Sequence, residues 1–321
     1  MTSVPVFGSR DVEAAVSPER AVEVVRDAFV AYARAEWTMP SKVYVPAYPA
    51  GDFRAMPALG GGYALLKWVT SFPGNPELGL PTVTGLVLVS DASNGMPVAV
   101  LDAGTVTALR TGAAAVLAAE TLGRDGAERA AVIGAGVNGR ATARTFAARD
   151  HPVAIWDVDV ERAVAAAAEL GADVAASPEE ALAADLVATV TPGHEVLYRE
   201  SSLRAGQHVS LMGADGPGKS EIDPAELARV RVFADDWEQA SHNGDLVHAV
   251  EAGVLAREQV TQLGDVLAGT ARGRETGDEI TVFDSTGLAI QDLAIGIEVV
   301  MRFDAGANRG SFPTVREIEI G

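Results

Sequence analysis

The stretch from 130 to 157 constrains the fold of this chain more than any other part of the sequence. An apolar run, AAVI, leads into the G-x-G-x-x-G pattern of Gly134, Gly136 and Gly139, and a helical pattern follows over 138–149. The first glycine permits a tight turn, the second lets the backbone approach a pyrophosphate, and the third lets helix and strand pack closely. The stretch therefore predicts a dinucleotide site, with the phosphates at the helix N-terminus.

Asp157 supplies a second element of this predicted site. It ends the next apolar run, 152–156, and lies 21 residues after Gly136. That spacing is close to the roughly 20 residues expected for the acid that binds an adenosine ribose 2′-OH. A carboxylate repels the 2′-phosphate of NADP, and no arginine follows before Arg162. We therefore expect NAD as the cofactor; the alternative is a structural glycine turn in some other α/β protein.

The pattern changes along the chain in a way that predicts two domains. The first region contains one packing helix that begins at Ser17–Pro18, several short β-like runs, and a hairpin at Asn94–Gly95. After Asp157, apolar runs alternate with helical patterns, which is typical of a doubly wound parallel sheet. We predict an α/β fold: a dinucleotide-binding Rossmann domain over 123–287, and a discontinuous α+β domain. The ranges of this second domain are 1–122 and 288–321, because the apolar helix predicted over 288–303 should return to the first region.

Composition excludes several classes of function. The net charge of −19 argues against nucleic acid and anionic membranes as partners. No apolar run is long enough to span a membrane, and the N-terminal segment does not have the pattern of a signal peptide. The chain has no cysteine, so thiolate catalysis and cysteine-ligated metals are excluded. We expect a cytoplasmic enzyme without a metal site, and we interpret the five histidines, including His194, as ordinary residues.

Lysine is rare in this chain, which makes each lysine informative. Only Lys42, Lys67 and Lys219 occur among 25 lysines and arginines. A lysine can release its proton when it is buried, which arginine effectively cannot do. Lys67 lies inside the apolar run ALLKWV, where a charge is costly unless it is paired or functional. We therefore interpret Lys67 as a catalytic residue; the alternative is an edge-strand lysine that reaches solvent.

Polar residues at predicted strand ends are further candidates, because ligands bind beyond the carboxyl ends of parallel strands. Asp215 follows a predicted strand among Gly213, Gly216 and Gly218, so we interpret it as catalytic; the alternative is an aspartate that satisfies turn N–H groups. Lys219 could reach a cofactor phosphate or close the loop. Arg110, on an apolar helix, either packs against a carboxylate or faces an anionic ligand, and we favour the ligand.

Eight motifs in order carry a resemblance that covers nearly the whole chain. They are MPSK, DFRAMPA, YALLKWV, FPGNPELGLPTV, ALRTGAA, VIGAGVNGR, GADGPGK and VFDSTGLAIQD. Together they resemble the ornithine cyclodeaminase/μ-crystallin family, and within it the sequence looks closest to the archaeal-type alanine dehydrogenases. The resemblance implies a homodimer in which the second domain binds substrate and forms the dimer. It also implies that an amino acid and its imine are interconverted by hydride transfer with a nicotinamide.

The resemblance also implies roles for individual residues. Lys67 falls on the family's proton donor and acceptor, and Asp215 on its catalytic carboxylate. The substrate-binding positions fall on Lys42, Arg54 and Arg110. With the residues argued above, the expected cofactor contacts are Thr82, Arg110, Thr111, Gly134, Gly136, Val137, Asn138, Gly139, Asp157, Thr189, Gly213, Lys219 and Ser285.

Arg54 is the informative departure within this family. Ornithine cyclodeaminases carry an acid there, which can hold the distal ammonium of ornithine, whereas an arginine would repel that ammonium and favours a carboxylate. We therefore expect NAD-dependent oxidation of a small L-amino acid, alanine to pyruvate and ammonia, together with the reverse reaction. An imino-acid reductase or a cyclodeaminase is the alternative within the family. A non-catalytic, crystallin-like cofactor binder is the alternative of another class.

Overall fold

The computed structural model describes residues 2–193, 195–199, 201–216, 218–306 and 312–320. The chain divides into two compact units: unit 1, Met1–Arg110 with Leu288–Gly321, and unit 2, Thr111–Gly287. The helix that contains residue 110 runs from Ala103 to Leu122, so the division falls within it. The sequence placed the boundary after residue 122.

Fifteen strands are formed by the described residues. In chain order, β1 to β15 are Thr2–Phe7, Val43–Ala47, Gly51–Gly60, Tyr63–Ser71, Val83–Asp91, Pro97–Asp102, Ala130–Ile133, Val153–Trp156, Asp173–Val174, Leu186–Thr189, His208–Leu211, Arg231–Ala234, Val260–Gln262, Thr281–Asp284 and Arg316–Ile320.

Eleven α-helices accompany these strands within the described residues. In chain order, α1 to α11 are Ser9–Ala15, Pro18–Ala33, Ala103–Leu122, Val137–Ala148, Val160–Leu170, Pro178–Leu182, Pro224–Leu227, Trp237–Asn243, Val247–Glu251, Leu263–Leu267 and Ala289–Asp304. Helix α2 begins where the sequence predicted, because the Ser17 side chain accepts a hydrogen bond from Arg20 N and Pro18 occupies the first turn.

Unit 1 is built on a seven-stranded sheet in the order β15-β1-β6-β5-β4-β3-β2. Strands β2 to β6 form an antiparallel meander, in which Lys67 of β4 is opposite Met56 of β3 and Val87 of β5. Helix α11 packs on strands β3 to β6 and on α2. Because side chains alternate along a strand, each of these strands has one face under the helix and one outward face.

The outward face of the meander is rich in large apolar side chains. Leu66 and Trp68 of β4 and Leu86 and Leu88 of β5 are exposed, whereas Lys67 and its inward neighbours are buried. An exposed apolar face of this kind is typical of a surface that interacts with another protein, a membrane or a ligand.

Unit 2 is built on an eight-stranded sheet in the order β13-β12-β14-β11-β10-β7-β8-β9, and every recorded pair is parallel. The chain order reverses beside β7, which creates the crevice where such sheets bind ligands. Strands β7, β10, β11 and β14 are buried along their whole length. This arrangement confirms the predicted doubly wound parallel sheet.

Local sequence explains several boundaries in unit 2, and a few were predicted imprecisely. Helix α5 begins after Asp159, whose side chain accepts from Arg162 N, and ends at Gly171 in the left-handed conformation. The strand β13 at the sheet edge was not predicted, because residues 236–279 read as mixed and helical. No described helix is long and apolar enough to cross a membrane.

Candidate active site

The glycine turn of unit 2 has the geometry of a dinucleotide cradle. Gly134 follows β7 with φ of 105°, a conformation that favours glycine. A Cβ on Gly139 would overlap the carbonyl oxygen of Gly134, whereas a Cβ on Gly136 would meet no atom within 4 Å. Gly136 is the N-cap of α4 and provides no side-chain cap. Open space in front of an uncapped helix N-terminus fits the pyrophosphate of a dinucleotide.

Three other residues expected to contact the cofactor lie in unit 2, on helices α4 and α3. Val137 is exposed and Asn138 is half-buried in the first turn of α4. The Thr111 side chain is buried, and its Oγ1 has no hydrogen-bond partner in the described part of the chain. An orphaned buried hydroxyl fits the expectation that Thr111 contacts a ligand.

Asp157 fastens the glycine turn to the end of β8. Its Oδ2 accepts a hydrogen bond from Ala135 N at 2.6 Å, and its Oδ1 accepts one from Asp159 N at 2.8 Å. The Arg162 guanidinium, which the sequence argument set aside as distant, lies 3.7 Å from Oδ1 and 3.2 Å from Asp159. A carboxylate has about four acceptor sites, so these backbone bonds leave Asp157 able to bind a hydroxyl.

A buried glutamate that the sequence did not reveal holds the carboxyl ends of two strands together. Glu221 accepts hydrogen bonds from Thr189 Oγ1 at 2.6 Å, from Gly213 N at 3.1 Å and from Thr191 N at 3.2 Å. Burial raises the pKa of Glu221, and these hydrogen bonds act in the opposite direction. The Thr189 hydroxyl is therefore the donor in its hydrogen bond with Glu221. The short, polar segment KSEID around Glu221 gives no sign of burial.

Asp215 and Lys219 lie together in the loop after β11. Lys219 Nζ donates to Asp215 Oδ1 at 2.6 Å, and the two side chains are 22% and 36% exposed. The structure thus shows the loop-closing contact that the sequence offered as one alternative for Lys219. Both groups remain within reach of solvent, so a ligand could replace their mutual contact.

Ser285 lies in the loop that leaves β14. Its hydroxyl donates to Asp235 Oδ2 at 3.0 Å, and Gly287 N donates to the same oxygen at 2.9 Å. Two further buried acids lie nearby in the hydrogen-bond network: Asp284 accepts from Leu246 N, and Asp245 accepts from Glu221 N. Burial raises the pKa of Asp284 well above its usual range and that of Asp245 to about 8. These acids brace the loop, and sequence reasoning had not identified them.

In unit 1, Lys67 is almost completely buried on the inward face of β4. Its Nζ donates to Asp292 Oδ1 of α11 at 2.9 Å, and the two side chains are 1% and 0% exposed. Burial lowers the pKa of Lys67 to about 8; Asp292 acts against this shift, and the nearby cations Arg110 and Arg54 add to it. The solvent-reaching alternative for Lys67 is therefore wrong. A lysine with such a pKa can both accept and donate a proton near neutral pH.

The predicted substrate-binding arginines lie near this lysine. Arg110 Nε is 3.6 Å from Asp292 Oδ1, so the structure shows the carboxylate neighbour that the sequence considered less favourable than a ligand. Arg54 Nε and Nη2 donate to the two oxygens of Asp52 at 2.6 and 3.3 Å, and its guanidinium stacks 5.3 Å from the Tyr44 ring centre. The prediction from the sequence considered the charge of Arg54 by itself, but the carboxylate of Asp52 offsets that charge.

The two remaining predicted site residues each lie just before the first residue of a strand in unit 1. Lys42 is half-buried immediately before β2, and Thr82 precedes β5, where its carbonyl accepts from Phe72 N at 2.8 Å. The geometry around Lys42 and Thr82 does not by itself define a role for either side chain.

The histidines that the structure describes have polar neighbours. His208 is buried between Thr281 Oγ1 and Ser210 Oγ, and burial lowers its pKa to about 3, so it is neutral. His151 lies 3.7 Å from Glu120, and His248 lies 3.7 Å from Glu251. His194 is outside the described residues. Within the ranges the structure describes, no group of three or more acids and histidines could hold a metal ion.

A doubly wound parallel sheet with a dinucleotide cradle is typical of the class of nicotinamide-dependent oxidoreductases. The chain belongs to the ornithine cyclodeaminase/mu-crystallin family, whose model matches residues 5–305. It is 40% identical to the alanine dehydrogenase of Archaeoglobus fulgidus over 315 residues, which cover 95% of this chain and 97% of that relative.

Solved structures agree with this assignment. An archaeal alanine dehydrogenase dimer with bound NAD has a TM-score of 0.91 at 37% identity, with all of both chains covered. The Thermococcus litoralis Delta(1)-pyrroline-2-carboxylate reductase, in complex with NADH and L-proline, has a TM-score of 0.87 at 25% identity, covering 94% of this chain and 98% of that one. The predicted family and fold class are confirmed, and the predicted cofactor and enzyme class are supported. The assignments to individual site residues stay predictions.

Proposed function

We propose that this protein is an NAD-dependent dehydrogenase of a small L-amino acid, with alanine converted to pyruvate and ammonia and the reverse reaction also catalysed. The observation that carries the proposal is Lys67, a buried lysine whose pKa is lowered to about 8 and which is held by Asp292 beside two arginines. Proton transfer near neutral pH is what deamination requires beyond the hydride step. The 40% identity to an alanine dehydrogenase over nearly the whole chain supports the same substrate.

The protein's own residues take the following parts in the proposed reaction. NAD, when bound at the glycine turn, supplies the acceptor for the α-hydride. Arg110, Arg54 and Lys42 bind the substrate carboxylate, for which arginine has a matching fork of donors. Removal of the hydride leaves an iminium, water adds to its carbon, and a proton passes from this water to Lys67. Asp215 shares the proton movements as ammonia leaves and the carbonyl forms.

A second candidate, an imino-acid reductase or cyclodeaminase, is favoured by the pair of Asp52 and Arg54. Because Asp52 binds two guanidinium nitrogens of Arg54, the pair carries no net charge. The repulsion that Arg54 alone would exert on a distal ammonium is therefore weaker than the sequence indicated. A relative that reduces pyrroline-2-carboxylate has the same fold.

A substrate panel tests the proposal against this alternative. NADH formation is measured with alanine, other small amino acids and ornithine, and NADH consumption with pyruvate plus ammonia, pyrroline-2-carboxylate and N-alkylimines; NADPH is the matched cofactor control. We expect alanine and pyruvate to give the highest kcat/KM with NAD(H). Turnover of a cyclic imine without turnover of alanine would establish the second candidate. Tight NADH binding without turnover of any compound would favour a crystallin-like binder.

We also propose that two copies of the chain associate through the outward face of the unit 1 meander. Leu66, Trp68, Leu86 and Leu88 expose large apolar surfaces on neighbouring strands. The dimeric state of the solved alanine dehydrogenase supports a homodimer. Sedimentation of wild type and of Leu86→Glu tests this proposal: we expect a dimer in wild type and a weakened dimer in the variant. Equal dimer stability in both would place the contact elsewhere.

A further inference from the structure

Asp292 carries more of the unit 1 site than its place in the sequence indicates. Its side chain is completely buried on α11, and its Oδ1 accepts from Lys67 Nζ at 2.9 Å. The same Oδ1 is 3.6 Å from Arg110 Nε, which is too long for a hydrogen bond. Asp292 Oδ2 and Arg110 Nε are both buried and have no hydrogen-bond partner among the described residues. One carboxylate therefore holds one cation, lies close to a second, and has one oxygen without a hydrogen-bond partner among the described residues.

The charges around Lys67 explain why this carboxylate matters. Arg110 of α3 and Arg54 of β3 are the cations that act on Lys67, and Asp292 of α11 is the anion that faces it. The charge of Arg54 is offset by Asp52, to which it is bound. Among the described residues, Asp292 is thus the one carboxylate that pairs with both Lys67 and Arg110. A buried charge without a counter-ion is strongly disfavoured, so Asp292 determines whether Lys67 can keep its proton.

We propose that Asp292 is the positioning residue of Lys67: its carboxylate fixes the lysine Nζ and is shared with Arg110. This deepens the proposed function, on which it rests, because Lys67 is the proton-transfer group there. When Lys67 releases its proton, Asp292 keeps Arg110 as its counter-ion, and the unpartnered Arg110 Nε can close the remaining distance. The carboxylate is therefore paired in both protonation states of the lysine, and Asp292 acts on the reaction through Lys67.

Titration of the lysines by NMR tests this proposal directly. The chain has only three lysines, so [ε-13C]lysine gives three signals, and Lys67→Met identifies that of Lys67. In wild type we expect a midpoint near the value of about 8 given by the surroundings of Lys67. Asp292→Asn should lower this midpoint by at least about one pH unit, because a counter-ion within about 4 Å is lost. An unchanged midpoint in a folded Asp292→Asn would overturn the proposal.

A control on the same helix separates this role from general effects of removing a buried acid. Glu298 also lies on α11, and its carboxylate binds Arg20 at 3.0 Å and Arg302 at 3.1 Å. Glu298→Gln therefore breaks ion pairs of the same helix without touching Lys67. We expect it to leave the Lys67 midpoint and kcat unchanged. A shift as large as that of Asp292→Asn would show that the effect comes from the helix and not from the counter-ion.

Asp292→Glu keeps the test decisive if Asp292→Asn does not fold. It retains the charge but moves the carboxylate by one methylene, so we expect the midpoint to stay within roughly half a pH unit. Because Nζ is displaced, we expect kcat to fall about tenfold or more with little change in the KM for NAD. Wild-type kcat in this variant would overturn the positioning role. The NMR midpoints need no substrate, so a wild type that oxidises no amino acid would refute the proposed function and leave this test intact.

Discussion

The molecule contains two lysine–aspartate pairs of similar length in very different surroundings. Lys67 and Asp292 of unit 1 are 2.9 Å apart with side chains 1% and 0% exposed, whereas Lys219 and Asp215 of unit 2 are 2.6 Å apart with side chains 22% and 36% exposed. The first pair joins residues 225 positions apart, and the second closes a loop over four. The distances alone would make the two pairs equivalent.

Burial makes the pairs different in energy and in use. In the interior, both charges have lost their water, so each requires the other, and removing one is costly. In the loop, water and salt screen the attraction, so the contact contributes little and either partner can turn to a ligand. The buried pair is suited to tuning a proton affinity, and the exposed pair to exchanging partners. The following four predictions test this difference, beginning with the largest effect.

The largest effect is expected on stability when the aspartate of each pair is replaced by asparagine. Asp292→Asn leaves the buried Lys67 and the half-buried Arg110 without this anion, and we expect the free energy of unfolding to fall by about 3–5 kcal/mol. Asp215→Asn should change it by less than about 1 kcal/mol. Urea unfolding of both variants at one pH measures the difference. Equal losses would mean that burial does not separate the two pairs.

The second prediction concerns turnover, where one residue from each pair is proposed to move protons. Lys67→Ala and Asp215→Asn should each lower kcat by about 10²-fold or more, since a positioned acid or base contributes about that factor. Steady-state kinetics with alanine and NAD measures the effect, and NADH binding serves as the control for an intact cofactor site. Near-wild-type turnover in either variant would remove that residue from the mechanism.

The third prediction is a pH dependence set by the buried pair. The pKa of Lys67 is lowered to about 8, so the neutral form, which accepts the proton in amino-acid oxidation, increases as the pH rises through this value. We expect kcat/KM for oxidation to fall about tenfold per pH unit below the midpoint. The rate of the reverse reaction, calculated from the concentration of unprotonated ammonia, depends on the protonated form of Lys67. This rate should therefore fall above the midpoint. A profile that is flat between pH 6 and about 9 would argue against Lys67 as the base.

The smallest effect is expected when the exposed pair is broken from its lysine side. Lys219→Met should change the free energy of unfolding by less than about 1 kcal/mol, and this difference should shrink further in high salt. Urea unfolding at low and high ionic strength provides the measurement, with Lys67→Met as the buried counterpart. A large loss that is independent of salt would show that the loop pair is more shielded than its exposure indicates.

Local patterns in the sequence predicted the elements of the fold well. The glycine turn, the helix start at Ser17–Pro18 and the hairpin at Asn94–Gly95 each have a short-range cause, and the structure contains all three. Lys67 was singled out because a charge in an apolar strand is noticeable within a few residues. These features depend on neighbours along the chain, which is the information that a single sequence displays.

The partners of these residues could not be predicted in the same way. Asp292 is the last residue of the motif VFDSTGLAIQD, and the sequence does not predict its role, because its contact with Lys67 depends on how α11 packs on the sheet. Glu221 lies in a polar segment that resembles a surface loop, yet it is buried and binds the ends of β10 and β11. Asp52 offsets the charge of Arg54, and the two residues are two positions apart on β3, where alternation places their side chains on one face, so this pairing was open to prediction. Packing between distant segments determines the contacts of Asp292 and Glu221, and no local spacing encodes them.

The pairing of β15 with β1 has a consequence for re-engineering the order of the chain. Thr2 is directly opposite Ile320 in this antiparallel pair, so a short linker could join these two residues. New ends could then be opened at Gly126, in the turn between α3 and β7. In such a circular permutant the two segments of unit 1 would follow one another without interruption. Chains whose ends lie close together commonly tolerate this rearrangement.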